Sequence, residues 1–470
     1  GVREMYRDEP FPTKPWSVNA YLGAWPIAAA LDAGADIVIT GRCVDSAVVL
    51  GPLLHEFRWA ADDWDRLSAG SLAGHLLECG AQMTGGISTD WERVAADWDR
   101  MGFPIAECRA DGTFVVTKPE GTGGRVAPET VAEQLVYEIG DPAAYVLPDV
   151  ICDWRDVTVT QTGQDRVAVH GARGLPPTGA YKVSATYQDG FRSMATLMIG
   201  GIDAAKKAQR VGEAILARTR RAFAARGLED YRRTDIEVLG AEATYGPHAR
   251  AAAAREVILK VAVHHDDRSA LELFSREIAP SATAMAQGIT GFAGGRPAVT
   301  PLVRLFSCFV PKADVPGAVE VDGAPVAYAP HLTEQTERVP CSPEETQVAA
   351  PDATTTVPLV RLAYGRSGDK GDTANIGVLA RRREFLPAID AALTPAAVKQ
   401  WFAHRCEGEV ERFALPGLGG YNFLLHRALG GGGTASLRYD PQGKAYAQML
   451  MDMPVPVPAA WLAPGGLLAA

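Results

Sequence analysis

The segment GADIVITGRCVD at residues 34–45 decides which fold the sequence predicts. Its apolar, β-branched run at Asp36–Thr40 is typical of a buried strand. A helical pattern at Asn19–Leu31 precedes this run, and either Asp45 or Ser46 suits the N-cap of a second helix that follows it. Helix, strand and helix in this order predict an α/β layer.

The rest of the chain predicts an α+β region followed by a compact carboxyl-terminal domain. Strand patterns at Tyr181–Tyr187 and Phe191–Ile199 belong to a β-β-α-β-β-α-β order, which is typical of a ferredoxin-like α+β sandwich. A stretch rich in Pro, Ala, Glu and Thr then has the composition of a linker. The predicted divisions are an α/β part at 1–152, an α+β part at 153–325, a linker at 326–356 and a terminal domain at 357–470.

Composition and charge narrow the class of protein. Of 470 residues 22% are charged and the formal net charge is −10, so nucleic acid is not expected as a partner. No apolar run reaches the roughly 18 residues that a membrane-spanning helix needs, so no membrane partner is expected. Seven scattered cysteines without a CxxC pair fit a reducing cytoplasm better than a disulfide framework or a structural zinc site.

The sharpest local signal is GRSGDKGDT at Gly365–Thr373. Three glycines free the backbone to direct its N–H groups toward one point, and Arg366 and Lys370 add positive charge. Such a loop suits a phosphate or a carboxylate, and the predicted anion site includes Ser367 and Asp369 as well. The spacing is not that of a P-loop, and a polar connection between two strands would explain the same residues without a ligand.

A second candidate site follows the predicted strand at residues 36–40. Arg42 and Asp45 would lie where a strand meets a helix N-terminus, which is the usual ligand-binding edge of an open α/β sheet. There Arg42 would bind an anion and Asp45 would act as a general acid or base. A helix N-cap at Asp45 would explain that residue without any function.

A third glycine-rich segment, GTGGR at Gly121–Arg125, also lies between a predicted strand and a predicted helix. The amides of Gly123 and Gly124, beside an arginine, suit an anion. Val126 stands where a dinucleotide fingerprint has its third glycine, so a dinucleotide site is poorly supported. A plain strand-to-helix loop is the alternative.

Two histidine-containing patterns favour structural roles. His75 and Cys79 lie four residues apart on one predicted helix face, as a Cys–His nucleophile pair requires, but Cys79 also lies on the apolar stripe of that helix. His264 and His265 precede two aspartates, yet neighbouring strand residues point to opposite faces, so a solvated turn is the better interpretation. No metal site and no cofactor are predicted.

Six separate motifs occur in order along the chain. They are SVNAYLGA at 17–24, GADIVITGR at 34–42, LLECG at 76–80, KPEGTGG at 118–124, GRSGDKGD at 365–372 and NIG at 375–377. Together they resemble the acyclic terpene utilisation (AtuA-type) family, and the last two resemble the small ferredoxin-fold domain that follows the main domain in many members. The resemblance covers about residues 17–330 and 357–455.

The resemblance implies a role in the bacterial, cytoplasmic catabolism of citronellol- and geraniol-like acids carried as CoA thioesters. It also implies acyl-CoA carboxylases, hydratases and dehydrogenases as accompanying proteins, and it implies no settled reaction or catalytic residue. Family members are expected to carry a longer amino-terminal region with a Gly-rich opening strand, so part of the main domain's sheet is expected to precede Gly1.

The sequence therefore predicts an α/β main domain with a ferredoxin-like α+β carboxyl-terminal domain, and two alternative functions. The first is an enzyme of acyl-CoA catabolism, of unresolved lyase, hydrolase or transferase class, that binds an acidic metabolite or a CoA thioester and forms a homo-oligomer. Its predicted site has Asp45 as the acid or base and Arg42, Gly123, Gly124, Arg366, Ser367, Asp369 and Lys370 as anion-binding residues. The alternative is a non-catalytic subunit or scaffold of a catabolic acyl-CoA complex.

Overall fold

A computed structural model describes residues 2–292, 294–328 and 352–469 of the chain, which contain helices and strands in alternation. The α-helices are α1 (Trp25–Asp32), α2 (Ala47–Phe57), α3 (Trp64–Leu77), α4 (Pro128–Leu135), α5 (Ala204–Ala224), α6 (Arg268–Ile278), α7 (Ser281–Ala284), α8 (Leu386–Ala392), α9 (Pro395–Trp401) and α10 (Tyr446–Met451). The strands are β1 (Pro15–Ala20), β2 (Ile105–Cys108), β3 (Phe114–Thr117), β4 (Tyr145–Val146), β5 (Ile151–Asp153), β6 (Thr158–Gly163), β7 (Arg166–His170), β8 (Arg173–Leu175), β9 (Ala180–Gly200), β10 (Arg233–Leu239), β11 (Glu256–His265), β12 (Ile289–Phe292), β13 (Val299–Pro311), β14 (Val319–Val321), β15 (Ala324–Val326), β16 (Thr355–Pro358), β17 (Ala363–Lys370), β18 (Thr373–Ala380), β19 (Val410–Leu415), β20 (Gly420–Leu425) and β21 (Pro454–Val457).

The strands form one large sheet, two four-stranded sheets and three smaller ones within the described residues. The large sheet has the order β1-β9-β11-β10, and β12 and β13 also pair with β9. The order β2-β3-β7-β6 forms one four-stranded sheet, and β17-β18-β20-β19 forms the other, each antiparallel. The chain is therefore mixed α/β and α+β, as predicted. The predicted divisions of the chain stay a prediction, and most of the predicted linker at 326–356 lies outside the described residues.

The predicted strand at Asp36–Thr40 is wrong, because this segment forms no strand. Ile37 is 81% exposed and Ile39 is 92% exposed, and only Val38 packs against the core. No backbone group of this segment is hydrogen-bonded to another backbone group among the described residues. A strand needs a neighbour to complete its ladder, and the described part of the chain places none beside these residues.

Of the two helices on either side of this segment, the first begins later than predicted and the second begins where predicted. The first begins at Trp25 rather than Asn19, because Asn19 pairs with Ser184 of β9 as part of β1 and because Pro26 favours a helix start. The second begins at Ala47, one residue after the predicted cap, and is confirmed. Local pattern thus predicted both helices, whereas the pairing of β1 with a distant strand moved the start of the first.

We expect Ile39→Ser to change the free energy of unfolding by less than about 0.5 kcal/mol, because a surface substitution that removes no packing usually stays within that range. Leu50→Ala provides the buried comparison: Leu50 on α2 is 1% exposed, and such truncations cost about 2–5 kcal/mol. Urea unfolding of both variants measures the difference. Equal losses in the two variants would contradict the exposed placement of Ile39.

Strand β9 is the centre of the large sheet. Its 21 residues were predicted as two strands, at 181–187 and 191–199, and this prediction is wrong because the chain does not break between them. The register with β13 shifts near Gly190, which has φ +84°, so the strand bends there and continues. A single long strand therefore places both of its ends in one sheet.

The two faces of the large sheet differ in chemistry. One face packs against α5 and α6 through an apolar core. On the other face Lys260 Nζ donates to Glu237 Oε2 at 2.6 Å, and Arg405 Nη2 donates to Glu237 Oε1 at 3.2 Å. The amide of Tyr439 also donates to Glu237, at 2.6 Å, and Glu237 is 3% exposed. Because Arg405 and Tyr439 come from the carboxyl-terminal domain, this buried charge group joins that domain to the sheet.

A row of basic side chains crosses the same face. His264 on β11 pairs with Arg233 on β10 and with Arg192 on β9, so the three side chains are neighbours. His264 is 2% exposed and its Nε2 has no hydrogen-bond partner. Burial, assisted by the charges of Arg192 and Arg304, lowers the pKa of His264 to about 3. The predicted solvated turn is wrong for His264 and His265, because both are buried and end β11.

We expect His264→Gln to flatten the acid side of the pH–stability profile. Below its usual pKa of 6.5 this histidine binds a proton in the unfolded chain but stays neutral in the folded chain, because its folded pKa is lowered. Stability therefore falls as pH falls from about 6.5 toward 3, by up to about 1.4 kcal/mol per pH unit. Urea unfolding between pH 4 and pH 8 (roughly the window of the titration) measures the slope. His170→Gln, at an exposed position, is the control, and equal slopes in all three proteins would refute the assignment.

Candidate functional site

The GRSGDKGD motif is a strand followed by a tight turn. Every residue from Ala363 to Lys370 pairs with a residue of β18, and only Gly371 and Asp372 lie between the strands. The predicted loop is therefore wrong, because an extended strand paired with β18 does not turn its N–H groups toward one point. What the motif supplies is a row of side chains on one hairpin.

Two glycines of this hairpin allow it to pack on the main domain. A Cβ at Gly377 would lie 2.2 Å from Val136 Cγ2, and a Cβ at Gly368 would lie 2.4 Å from Glu138 Cγ. Neither distance is tolerated, so only glycine permits this approach. The hairpin thereby meets the chain that leaves α4.

Arg366 is buried at this interface. Its guanidinium lies 3.4 Å from Glu133 Oε2 and donates to Gln82 Oε1 at 3.2 Å. Arg366 is 3% exposed and Glu133 is 1% exposed. Burial raises the pKa of Glu133 to about 7, although the charge of Arg366 opposes this, and burial also lowers the pKa of Arg366. Arg366 therefore holds the hairpin to the main domain and is closed to solvent.

Ser367 is hydrogen-bonded to backbone groups at and just before the start of α10. Its hydroxyl donates to the Gly443 carbonyl at 2.7 Å and accepts from the Ala447 amide at 2.9 Å, at the start of α10. Ser367 is 3% exposed. These contacts fix α10 on the hairpin and leave the hydroxyl facing protein.

Lys370 and Asp369 lie in a charged cluster that includes residues from both domains. Lys370 Nζ lies 3.6 Å from Glu138 Oε2, and Lys444 Nζ lies 2.5 Å from Glu138 Oε1 and 3.7 Å from Asp369 Oδ1. Lys444 also donates to the Tyr137 hydroxyl at 2.5 Å. Lys370 and Lys444 are about 40% exposed at their side chains, with values of 41% and 38%. Both lysine side chains are therefore partly exposed.

Glu138 is held at this position by a strained backbone. Its φ is +55°, which is uncommon for a residue other than glycine and costs roughly 1–3 kcal/mol. The amide of Glu138 donates to Asn375 Oδ1 at 2.9 Å, and Asn375 Nδ2 donates to the Val136 carbonyl at 2.8 Å. Asn375 lies on β18, so the carboxyl-terminal domain fixes the conformation that directs Glu138 toward Lys370.

Arg42 and Asp45 form a second, half-exposed pair. Arg42 Nη2 lies 3.3 Å from Asp45 Oδ1, and their side chains are 42% and 53% exposed. The Arg42 guanidinium lies 4.4 Å from the centre of the Tyr21 ring, and Lys182 Nζ lies 5.7 Å from the same ring. The N-cap of α2 is Ser46, so Asp45 is not the cap residue. The Asp45 carboxylate is half-exposed and paired with Arg42.

The two pairs share one electrostatic environment. Burial opposes charge on Lys370, but Tyr145, Glu138 and Asp45 together raise the pKa of Lys370 above its usual value. Burial lowers the pKa of Lys182, and the charges of Lys370 and Arg42 act in the same direction. Arg42, Asp45 and Lys370 thus act on the same charged neighbourhood, and Asp369 lies in the cluster of Lys370. We call the group Arg42, Asp45, Glu138, Asp369, Lys370 and Lys444 the junction site.

The predicted Gly123 and Gly124 lie outside the junction site. The amide of Gly123 donates to the Arg100 carbonyl at 2.8 Å, and a Cβ at Gly124 would lie 2.6 Å from the Thr84 carbonyl. Arg125 pairs with Glu129 at 3.0 Å. This segment packs against its own domain, as the alternative of a plain loop described.

His75 and Cys79 do not form a nucleophile pair. His75 Nε2 lies 3.0 Å from the Leu135 carbonyl, and burial lowers its pKa to about 4. The Cys79 thiol donates to Glu78 at 2.8 Å, and burial, with Glu78 acting in the same direction, raises its pKa to about 12. A thiol in this state is a poor nucleophile at neutral pH.

A cavity of about 420 Å³ adjoins Arg42. It is lined by residues 34–43, by part of α1 and by β14, and the apolar side chains of Ile27, Ile37 and Val321 contribute to its wall. A cavity with both polar and apolar walls beside a guanidinium suits a ligand with an acidic end and a short hydrocarbon part.

Sequence reasoning missed Glu138 and Lys444, which complete the junction site. Glu138 follows the end of α4 by three residues, and a charged residue just beyond a helix end is usually solvated, so the pattern gave no reason to single it out. Lys444 belongs to no motif. Only the packing of two distant segments makes either residue part of a site.

Within the described residues, no three side chains of the His, Cys, Asp or Glu type are placed to hold a metal ion. The helices of that same part of the chain include none with both the length and the apolarity required to cross a membrane.

Comparison with known proteins gives the family. No curated protein and no solved structure matches the chain. The model of the acyclic terpene utilisation family protein AtuA matches residues 3–321, which is more than half of the chain. The model of the AtuA ferredoxin-like domain matches residues 357–456 and includes the hairpin that carries Lys370. The chain therefore belongs to the acyclic terpene utilisation AtuA family and carries the AtuA ferredoxin-like domain after the main domain.

Proposed function

We propose that this protein is a cytoplasmic enzyme that acts on a small carboxylic acid carried as a CoA thioester. One observation carries the proposal: half-exposed cations and carboxylates from two domains converge at the junction site. Charged groups held close together by strained and glycine-dependent packing cost stability, and such arrangements are concentrated at functional sites.

The residues of the junction site would have separate roles. Arg42, Lys370 and Lys444 supply N–H donors for a carboxylate or for the oxygen of a thioester, where negative charge develops during reaction. Asp45 is half-exposed and its carboxylate lies 3.3 Å from Arg42, so it is the group placed to accept or donate a proton. The cavity beside Arg42 would hold the rest of the acid, with its hydrocarbon part against Ile27, Ile37 and Val321.

We expect Lys370→Ala and Arg42→Ala to weaken the binding of isovaleryl-CoA by about tenfold or more each, because a hydrogen bond to a charged group contributes about 1.5–3 kcal/mol. Isothermal titration calorimetry measures this. Arg210→Ala is the control, since Arg210 is an exposed cation of α5 paired only with Glu213 at 3.3 Å. Equal affinity in all three variants would remove the junction site from the proposal.

We expect Asp45→Asn to keep binding within about threefold while abolishing conversion, because the amide keeps the shape of the carboxylate but cannot exchange a proton. Incubation with isovaleryl-CoA followed by mass spectrometry of the CoA esters measures conversion. A wild-type protein that binds the thioester and leaves it unchanged would contradict an enzymatic role for this substrate.

A second candidate role is that of a non-catalytic subunit in a catabolic acyl-CoA complex. The exposed segment Asp36–Thr40 favours this role. Its two exposed isoleucines and its unpaired backbone groups suit the binding of another polypeptide. Co-purification with acyl-CoA carboxylase subunits, repeated with Ile39→Asp, tests this role. Capture that Ile39→Asp does not reduce would rule out this segment as the contact.

A further inference from the structure

The described structure holds a second group of cations, on the polar face of the large sheet. It consists of Arg192 on β9, Arg233 on β10 and Arg438, which follows the glycine run at Gly430–Gly433. A Cβ at Gly430 would lie 3.1 Å from Arg233 Nη2 and 3.1 Å from Arg438 Nε, so both guanidinium groups face this glycine. The three arginines therefore converge on one short loop.

None of the three arginines has a carboxylate partner among the described residues. Arg192 donates to the Thr434 carbonyl, Arg233 donates to the Gly430 carbonyl at 2.8 Å, and Arg438 donates to the Ala428 carbonyl. Each guanidinium has five N–H donors, and these hydrogen bonds use only a minority of them. Three positive charges close together without a counter-charge repel one another, and an anion would relieve that repulsion.

Two neighbouring arginines differ from these three because both are paired with a carboxylate. Arg232 and Arg304 lie on the same sheet, and both bind the carboxylate of Asp189. Asp372 lies at the same glycine run, but its carboxylate accepts from the amides of Leu429 and Gly431. Asp235 lies on β10, its Oδ2 is buried without a partner, and burial raises its pKa. Its carboxylate does not pair with Arg233 or Arg438 within 4.0 Å.

His264 gives an independent sign that a ligand is missing from this surface. Its ring lies between Arg233 and Arg192 in the cross-strand row, and its Nε2 is buried without a hydrogen-bond partner. Buried polar atoms are nearly always satisfied, so an unsatisfied one calls for a partner. A ligand hydroxyl would donate a hydrogen bond to Nε2 when this atom carries no proton. A phosphate oxygen would accept a hydrogen bond from Nε2 when it does.

The glycine run has the conformation that such a ligand requires. Gly430, Gly431, Gly432 and Gly433 all have positive φ, from +48° to +99°. The amide of Gly431 donates to Asp372 at 2.8 Å, whereas the amides of Gly432 and Gly433 make no hydrogen bond to described groups. Two neighbouring amides without an acceptor are available to a ligand that accepts hydrogen bonds.

We propose that Arg192, Arg233 and Arg438, with the glycine run at Gly430–Gly433, form a binding site for a phosphate group. Three guanidinium groups supply more positive charge and more N–H donors than a single carboxylate can pair with, whereas a phosphate has two negative charges and three acceptor oxygens. The loop lies against the turn of the hairpin that carries Lys370, since a Cβ at Gly432 would lie 2.0 Å from the Gly371 carbonyl. Assigning the phosphate to CoA rests on the proposed function, but the phosphate site itself does not.

Calorimetry on the full chain tests the site with adenosine 3′,5′-bisphosphate and with CoA as probes. We expect each of Arg192→Gln, Arg233→Gln and Arg438→Gln to weaken the binding of both probes by about tenfold or more. We also expect the affinity of the wild-type protein for both probes to fall as salt is added. Arg210→Gln is the matched control. Failure of the wild-type protein to bind either probe, or equal affinity in all variants, overturns the site.

Two further arms separate this site from the junction site. Isovaleryl-pantetheine has no phosphate, so its binding should depend on Lys370 and not on Arg233. If isovaleryl-CoA depends on Lys370 while the arginine variants bind it like the wild type, the phosphate site fails and the proposed function stands. If adenosine 3′,5′-bisphosphate depends on the arginines while no thioester binds, the phosphate site stands and the proposed function fails.

A measurement on the wild-type protein covers the case in which the arginine variants do not fold. Amide hydrogen exchange at residues 430–434 should slow when adenosine 3′,5′-bisphosphate is added, because the amides of Gly432 and Gly433 would gain an acceptor. Exchange that is unchanged at a saturating concentration of the probe would overturn the site without any substitution.

Discussion

Glu237→Ala is expected to lower the free energy of unfolding by about 3–5 kcal/mol, because it leaves two buried cations without a counter-charge. Lys260 is 5% exposed and Arg405 is 8% exposed, and each donates to a different oxygen of Glu237. The carboxylate also accepts from the Tyr439 amide. Its removal therefore affects the large sheet and the carboxyl-terminal domain together, and urea unfolding followed by circular dichroism measures the loss.

Glu272→Ala is the matched control for this prediction. Glu272 pairs with Arg268 at 3.1 Å on the surface of α6, and its side chain is 44% exposed. Exposed pairs of this kind contribute about 0.3–0.5 kcal/mol. A loss for Glu237→Ala that is no larger than the loss for Glu272→Ala would mean that water reaches Lys260 and Arg405 in solution.

Gly377→Val is expected to destabilise the protein by about 1–3 kcal/mol or more and to weaken the binding of isovaleryl-CoA by more than about tenfold. A Cβ at this position would lie 2.2 Å from Val136 Cγ2, so the hairpin and the main domain must move apart. Glu138 lies two residues after Val136, and the same shift would separate it from Lys370. Thermal unfolding and calorimetry measure the two effects.

Gly140→Val is the control for the glycine prediction. No atom lies within 4 Å of a Cβ at Gly140, and its φ is not in the left-handed region. This variant should keep both stability and binding close to those of the wild type. If Gly377→Val binds the thioester as well as Gly140→Val does, then the contact between the two domains does not build the junction site.

Strongly periodic segments could be predicted from the sequence alone. The helix after Asp45, the mixed α/β and α+β character and the family all follow from residues close together in the chain. Arg42, Asp45, Asp369 and Lys370 were singled out from two motifs, and the structure places these motifs in one environment. Local pattern succeeds here because hydrophobic period, turn residues and motif spacing are properties of short segments.

Other features depended on contacts that no local pattern contains. The run at Asp36–Thr40 has the composition of a buried strand, but strand formation requires a paired neighbour. The GRSGDKGD motif has the composition of a loop, but pairing with β18 makes it a strand. In both segments the partner, rather than the segment, decided the outcome.

The sequence by itself determined the helices, the charge, the family and the presence of glycine-rich motifs near basic residues. Tertiary structure alone decided which of those residues meet, because Glu138, Lys370 and Lys444 are far apart in the chain and become neighbours only when Gly377 packs against Val136. It also decided which charged side chains are buried in ion pairs within the protein, as Arg366 is, and which are partly exposed, as Lys370 is. The physical reason is that burial and charge pairing depend on the three-dimensional neighbourhood of a side chain, which short-range sequence patterns do not specify.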